Sequence, residues 1–205
     1  MKAIAAWAIG VMAMMPAYPG AQSLPTLVVR LYNTSAIPTA ELLSAHNAAE
    51  SILRDAGLDV VFRHCGLAAP PAEHLDRCDE PLKPGEIVVR VITAPAFNAS
   101  LRADAYGVAY IIRDTNRGWL ATVFSDRIDE AAARVSVDPG TLLGRVMAHE
   151  VGHLLLGVDY HSAAGLMVSA WPDAALTRTS DAWRFSTLEA ARLHDALPTE
   201  TISHQ

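Results

Sequence analysis

Apolar and polar residues change their period several times along this chain, and each change marks an element. Residues 27–32 (LVVRLY) form a short run rich in β-branched and apolar side chains, as in a strand. Residues 38–55 switch to helical spacing, with Leu42, Leu43, Ala49, Ile52 and Leu53 on one side and Gly57 as the stop. Residues 58–63 (LDVVFR) and 86–93 (EIVVRVIT) return to strand character. A strand, a helix and a strand in that order favour parallel pairing through a helical crossover. Residues 106–112 (YGVAYII) and 119–124 (WLATVF) predict two more strands, with a turn at Asn116, Arg117 and Gly118 that makes a hairpin natural.

A second strong helix follows. Asp138 and Pro139 suit the N-cap and first helical positions, where a proline gives up no needed hydrogen bond. Leu142, Leu143, Val146, Met147, Leu154 and Leu155 continue the helical spacing, and Gly157 suits a left-handed residue that ends it. Ser186 to Glu189 (STLE) is a capping box that opens a last helix to about Leu197. The expected class is α+β, with a mixed, mostly parallel twisted sheet, a β-α-β opening and a C-terminal helix.

Chemistry concentrates on the second helix, at His149-Glu150-Val151-Gly152-His153. Two histidines four apart lie on one helical face, so both imidazoles can reach a single ion. Zn²⁺ takes neutral imidazole well and needs at least one more protein ligand in a catalytic site. Glu150 follows the first histidine, where such helices carry the carboxylate that accepts a proton from activated water. An ordinary buried helix whose polar residues happen to fit is the plain alternative. Past the Gly157 turn lie Asp159, His161 and then Gly165-Leu166-Met167.

These residues resemble the metzincin zinc peptidases, whose pattern is HExxHxxGxxH, often followed by Ser and then a Met-turn. The chain reads HEVGHLLLGVDYHS and then AAGLM. The family places five residues between its second and third histidines; here residues 154–160 intervene, which is seven. The resemblance implies a metzincin or zincin-like catalytic domain in which His149, His153 and His161 hold Zn²⁺ and Met167 packs beneath them. It also implies an antiparallel edge strand beside the substrate cleft, for which residues 106–112 are the candidate. The spacing leaves the third ligand open. Asp159 occupies the position of a strict count, His161 matches by its Ser162 neighbour, and Glu189 would be the ligand in a thermolysin-like arrangement. Imidazole being the commonest metal ligand favours His161.

The start of the chain changes the picture of where this chemistry acts. Lys2 followed by apolar residues 3–15 reads as a secretory signal too short to span a bilayer, with small residues for cleavage before residue 24. The expected organisation is a signal peptide over 1–23 and one catalytic domain over 24–205, secreted or periplasmic, with no stable membrane association after cleavage. An isolated pair, Cys65 and Cys78, is then expected to form a disulfide. A net charge of −6 and no basic patch argue against a nucleic-acid partner. His46, His64, His74, His194 and His204 have no ligand-like spacing. Trp171, just past the Met-turn, is a packing residue that could also line the cleft. The expected function is hydrolysis of peptide bonds in a peptide or protein substrate. The alternative is an inactive zinc protein that binds a peptide or protein partner.

Overall fold

The structure, a computed structural model, describes residues 24–65, 78–95 and 104–197. The expected signal segment lies outside them. Five strands form one sheet: β1 (Thr26–Asn33), β2 (Asp59–Cys65), β3 (Glu86–Ile92), β4 (Gly107–Ile112) and β5 (Arg117–Phe124), in the order β2-β1-β3-β5-β4. The first four in that order run parallel, and β4 pairs antiparallel with β5 as the outer edge. Helix α1 (Thr39–Asp55) makes the crossover from β1 to β2. The mixed sheet, its β-α-β opening and the hairpin agree with the pattern of the sequence.

Alternation decides which face of the sheet is covered. Leu27, Val29 and Leu31 of β1, Val89 and Val91 of β3, and Ala121 and Val123 of β5 are all fully buried. Against the sheet packs α1, through Leu42, Ala45, Ala49, Ile52 and Leu53, and beside it α3 (Pro139–Leu156). The two helices approach closely because Gly140 and Gly144 face α1. A Cβ on Gly144 would lie 2.2 Å from the Ala45 carbonyl oxygen, and one on Gly140 2.4 Å from that of Glu41. Buried on almost every side, α3 is the centre of the molecule.

Between β5 and α3 lies a helix that was not among the elements expected from the sequence, α2 (Ser125–Val135). It begins at the residue after β5, with no turn residues between. Its buried positions are Ser125, Ile128, Ala131 and Ala132, of which Ile128 alone is a large apolar side chain. After α3 come a short helix, α4 (Asp173–Leu176), a 3₁₀ turn (Ser180–Ala182) and α5 (Thr187–Ala196). The Ser186–Glu189 capping box forms in both directions at the start of α5.

The sheet face away from α1 and α3 is held by polar chemistry. Arg30, 2% exposed, donates to the carbonyls of Cys78, Glu80 and Pro81 and is ion-paired with Glu86. Arg63 joins the same carboxylate at 3.0 Å. The Cys65–Cys78 disulfide is present, with a Cα–Cα distance of 5.7 Å. It fastens the 78–85 segment to the end of β2. Among the described residues, no helix is long and apolar enough to cross a membrane.

Candidate active site

Helix α3 places the first two histidines. Asp138 caps it by accepting from the Thr141 backbone N–H at 2.7 Å, and Pro139 occupies the first turn. At the other end Gly157 takes φ of 66°, a left-handed conformation that Gly adopts without steric cost, and its N–H donates to the His153 carbonyl at 3.0 Å. The chain then doubles back so that His161 meets His149 and His153. The Nε2 atoms of His153 and His149 are 3.1 Å apart, and those of His153 and His161 are 3.3 Å apart.

Backbone carbonyls fix two of these rings. His149 Nδ1 lies 2.9 Å from the Leu166 carbonyl oxygen, and His153 Nδ1 lies 2.8 Å from that of Val158. A carbonyl only accepts, so each Nδ1 must carry the hydrogen. Burial, followed by the neighbouring His153, lowers the His149 pKa to about 3; burial also lowers that of His153. Both rings are therefore neutral near pH 7, with a bare Nε2 lone pair turned toward the other. Two such lone pairs 3.1 Å apart repel unless a cation lies between them. With Zn–N bonds of about 2.0–2.1 Å, a tetrahedral site has N···N edges of about 3.3–3.4 Å. The donor set fits such an ion. His149, His153 and His161 are also a group of possible ligands whose donor atoms all lie within 4.8 Å of one another.

The alternative third ligands have other partners, although Asp159 also lines the cleft. Asp159 is exposed and ion-paired with Arg113 at 3.3 Å. Glu189 accepts hydrogen bonds from the Ser162 hydroxyl and from the Ser186 backbone N–H. It thereby ties α5 to the residue next to His161. The Ser162 N–H donates to the Met167 carbonyl at 2.7 Å, closing the turn between them. Met167 is 1% exposed and sits under α3, where Gly152 makes room: a Cβ there would lie 2.7 Å from the Met167 sulfur.

Glu150 points from the same helix and is 5% exposed. Burial pushes its carboxyl up to about 8, and a cation nearby would draw it down again. Glu150 and the three histidines line a cleft of about 990 Å³, whose opposite side is β4. The backbone groups of β4 alternate between its partner and the cleft. The Phe124 N–H donates to the Tyr106 carbonyl, so with the register Gly107↔Val123 and Ala109↔Ala121 the backbone of Gly107 and Ala109 faces the open edge.

Aromatic rings back the site. Trp171 is 9% exposed, meets His149 edge to face at 5.2 Å and packs on Trp183 and Tyr106. It both packs and lines the cleft. The place of Trp171 just past the Met-turn allowed this role; its ring partners Tyr106, His149 and Trp183 come from other segments, which no local spacing announces.

No protein-family model matches the chain, and no curated protein matches it in sequence. Solved structures do. Archaemetzincin from Methanopyrus kandleri superposes with a TM-score of 0.51 at 18% identity, over 87% of this chain and 97% of that one. Metalloproteinase-II from Bacteroides fragilis superposes with a TM-score of 0.52 at 14% identity, over 88% of this chain and 55% of that one. The fold is metallopeptidase-like. At these identities the likeness speaks for the fold, and the chemistry rests on the site itself.

Proposed function

We propose that this protein is a secreted zinc-dependent endopeptidase, made with a signal peptide over 1–23 and a metzincin-like catalytic domain over 24–205. The observation that carries the reading is the convergence of three Nε2 atoms, two of them on rings locked by backbone carbonyls, in a cleft bordered by a sheet edge. His149, His153 and His161 would hold Zn²⁺, which when bound makes water more acidic and polarises a carbonyl. The metallopeptidase-like fold and the Cys65–Cys78 disulfide support the activity and the oxidising compartment respectively.

The chain's own residues do the rest. An extended peptide lies along β4 and bonds to the outward backbone groups of Gly107 and Ala109. Glu150 takes a proton from the attacking water. The water oxygen bonds to the scissile carbonyl carbon, the C–N bond breaks, and Glu150 returns the proton to the departing amine. Trp171 keeps the His149 side of the site dry.

The test is metal content and cleavage of a peptide pool by the mature chain and by Glu150→Gln. The variant keeps its size but cannot take the proton, so cleavage should fall on the order of 10²–10⁴-fold while bound zinc stays at the wild-type level. Equal rates would remove Glu150 from the mechanism. No cleavage by zinc-loaded wild type would favour a protein that binds peptides without turnover.

A further inference from the structure

Gly107 opens β4, and nothing in its backbone requires a glycine. It is not among the residues with positive φ, and glycine in a strand interior weakens the strand. What it faces is Glu150. A Cβ at Gly107 would lie 2.7 Å from Glu150 Oε1 and 2.9 Å from both Cδ and Cγ. Contacts this short must be relieved by movement. Because they reach back to Cγ, turning the carboxylate alone does not relieve them, and Glu150 is 5% exposed, with little space to retreat into.

We infer that Gly107 is a positioning residue for Glu150, its missing side chain setting the distance between the proton carrier and the strand on which a peptide would lie. The inference rests on the peptidase reading above. Gly107 serves both parts of that geometry: its backbone faces the open edge, and the space at its Cα holds the carboxylate. Any side chain here displaces Glu150 relative to a peptide paired with β4. A misplacement of about 1 Å can cost on the order of 10²-fold in rate.

Two double-mutant cycles test this. In the first, Gly107→Ala should lower kcat about 10–100-fold with KM and bound zinc near wild type. Glu150→Asp, one methylene shorter, should harm the wild type but cost much less, or restore activity, in the Gly107→Ala background. In the second, read by thermal unfolding alone, Gly107→Ala should lower Tm when Glu150 is present and much less when it is Glu150→Ala. An active wild type with kcat unchanged in Gly107→Ala, or with no coupling to Glu150→Asp, overturns the inference and leaves the peptidase reading intact. Equal Tm losses in both backgrounds overturn it too. A wild type that cleaves nothing removes the reaction Gly107 is argued to serve, so the peptidase reading fails and takes the positioning role with it.

Discussion

Two groups of histidines lie among the described residues, and in each burial pushes imidazoles toward neutrality: His46 in one, His149 and His153 in the other. On α1 and β2, His46 stacks on Phe62 at 4.3 Å and meets His64 at 4.9 Å between ring centroids. Burial, then His64, lowers the His46 pKa to about 4. At the cleft, His149, His153 and His161 meet at similar ring separations, 4.7–5.4 Å. Proximity and neutrality therefore do not separate the two groups. What separates them is direction. At the cleft, carbonyls hold two Nδ1 hydrogens and aim the Nε2 lone pairs inward. His46 has no such orienting bond: its Nε2 is buried without a hydrogen-bond partner among the described residues, and the ring packs as an aromatic surface. The lesson is that a metal site is recognised by what fixes its rings.

The contrast can be broken first where it is widest. His153→Ala should abolish tight metal binding and peptide cleavage, whereas His46→Ala should leave both at the wild-type level. Metal analysis and cleavage rates on the two variants decide it, and loss of metal in His46→Ala would merge the groups. The next effect concerns the His64 side of the molecule. Replacing Cys65 and Cys78 by Ser should cost roughly 2–4 kcal/mol in denaturant unfolding. Cleavage by the folded fraction should stay unchanged, because the disulfide lies at β2 and the cleft at β4.

A smaller effect is expected from the support of His161. Ser162→Ala removes the hydroxyl that joins this loop to Glu189, so the loop that carries His161 is held less firmly and metal affinity should fall, by much less than on loss of a ligand. Competition with a chelator measures it; an unchanged affinity would make the Ser162–Glu189 bond a matter of folding alone. The smallest effect is on pH dependence. His46 has a folded pKa of about 4, below its ordinary 6.5, so the unfolded chain takes up its proton first. Its contribution to stability is complete above pH 6.5 and declines as pH falls toward about 4. His46→Gln should flatten that part of the stability profile, followed by unfolding at successive pH values. A profile unchanged in the variant would show that His46 does not titrate in that window.

Much of the fold was legible because it is written in local signals. Strands β1, β3 and β5 follow apolar runs, α3 carries Asp138, Pro139 and Gly157 at its ends, and α5 carries a capping box. The hairpin and the disulfide were legible as well, and the antiparallel edge was expected from the family resemblance. Helix α2 was not among the expected elements: no turn residue separates Phe124 from Ser125, and of its buried positions Ile128 alone is a large apolar side chain. At the site, the helical spacing of His149 and His153 fixed their shared face. Counting alone left Asp159 and Glu189 open as companions, because a loop after Gly157 can return by more than one path. In the fold the Asp159 carboxylate turns to Arg113, and Glu189 to Ser162 and Ser186. The role of Gly107 and the ring partners of Trp171 depend on approaches between distant segments, which no spacing encodes.

The most direct test of the proposed site is zinc per chain in the purified mature protein, in His161→Ala and in Asp159→Ala. One tightly held zinc is expected in the wild type, nearly the same in Asp159→Ala, and loss of most of it in His161→Ala. Zinc retained by His161→Ala and stripped from Asp159→Ala would contradict it.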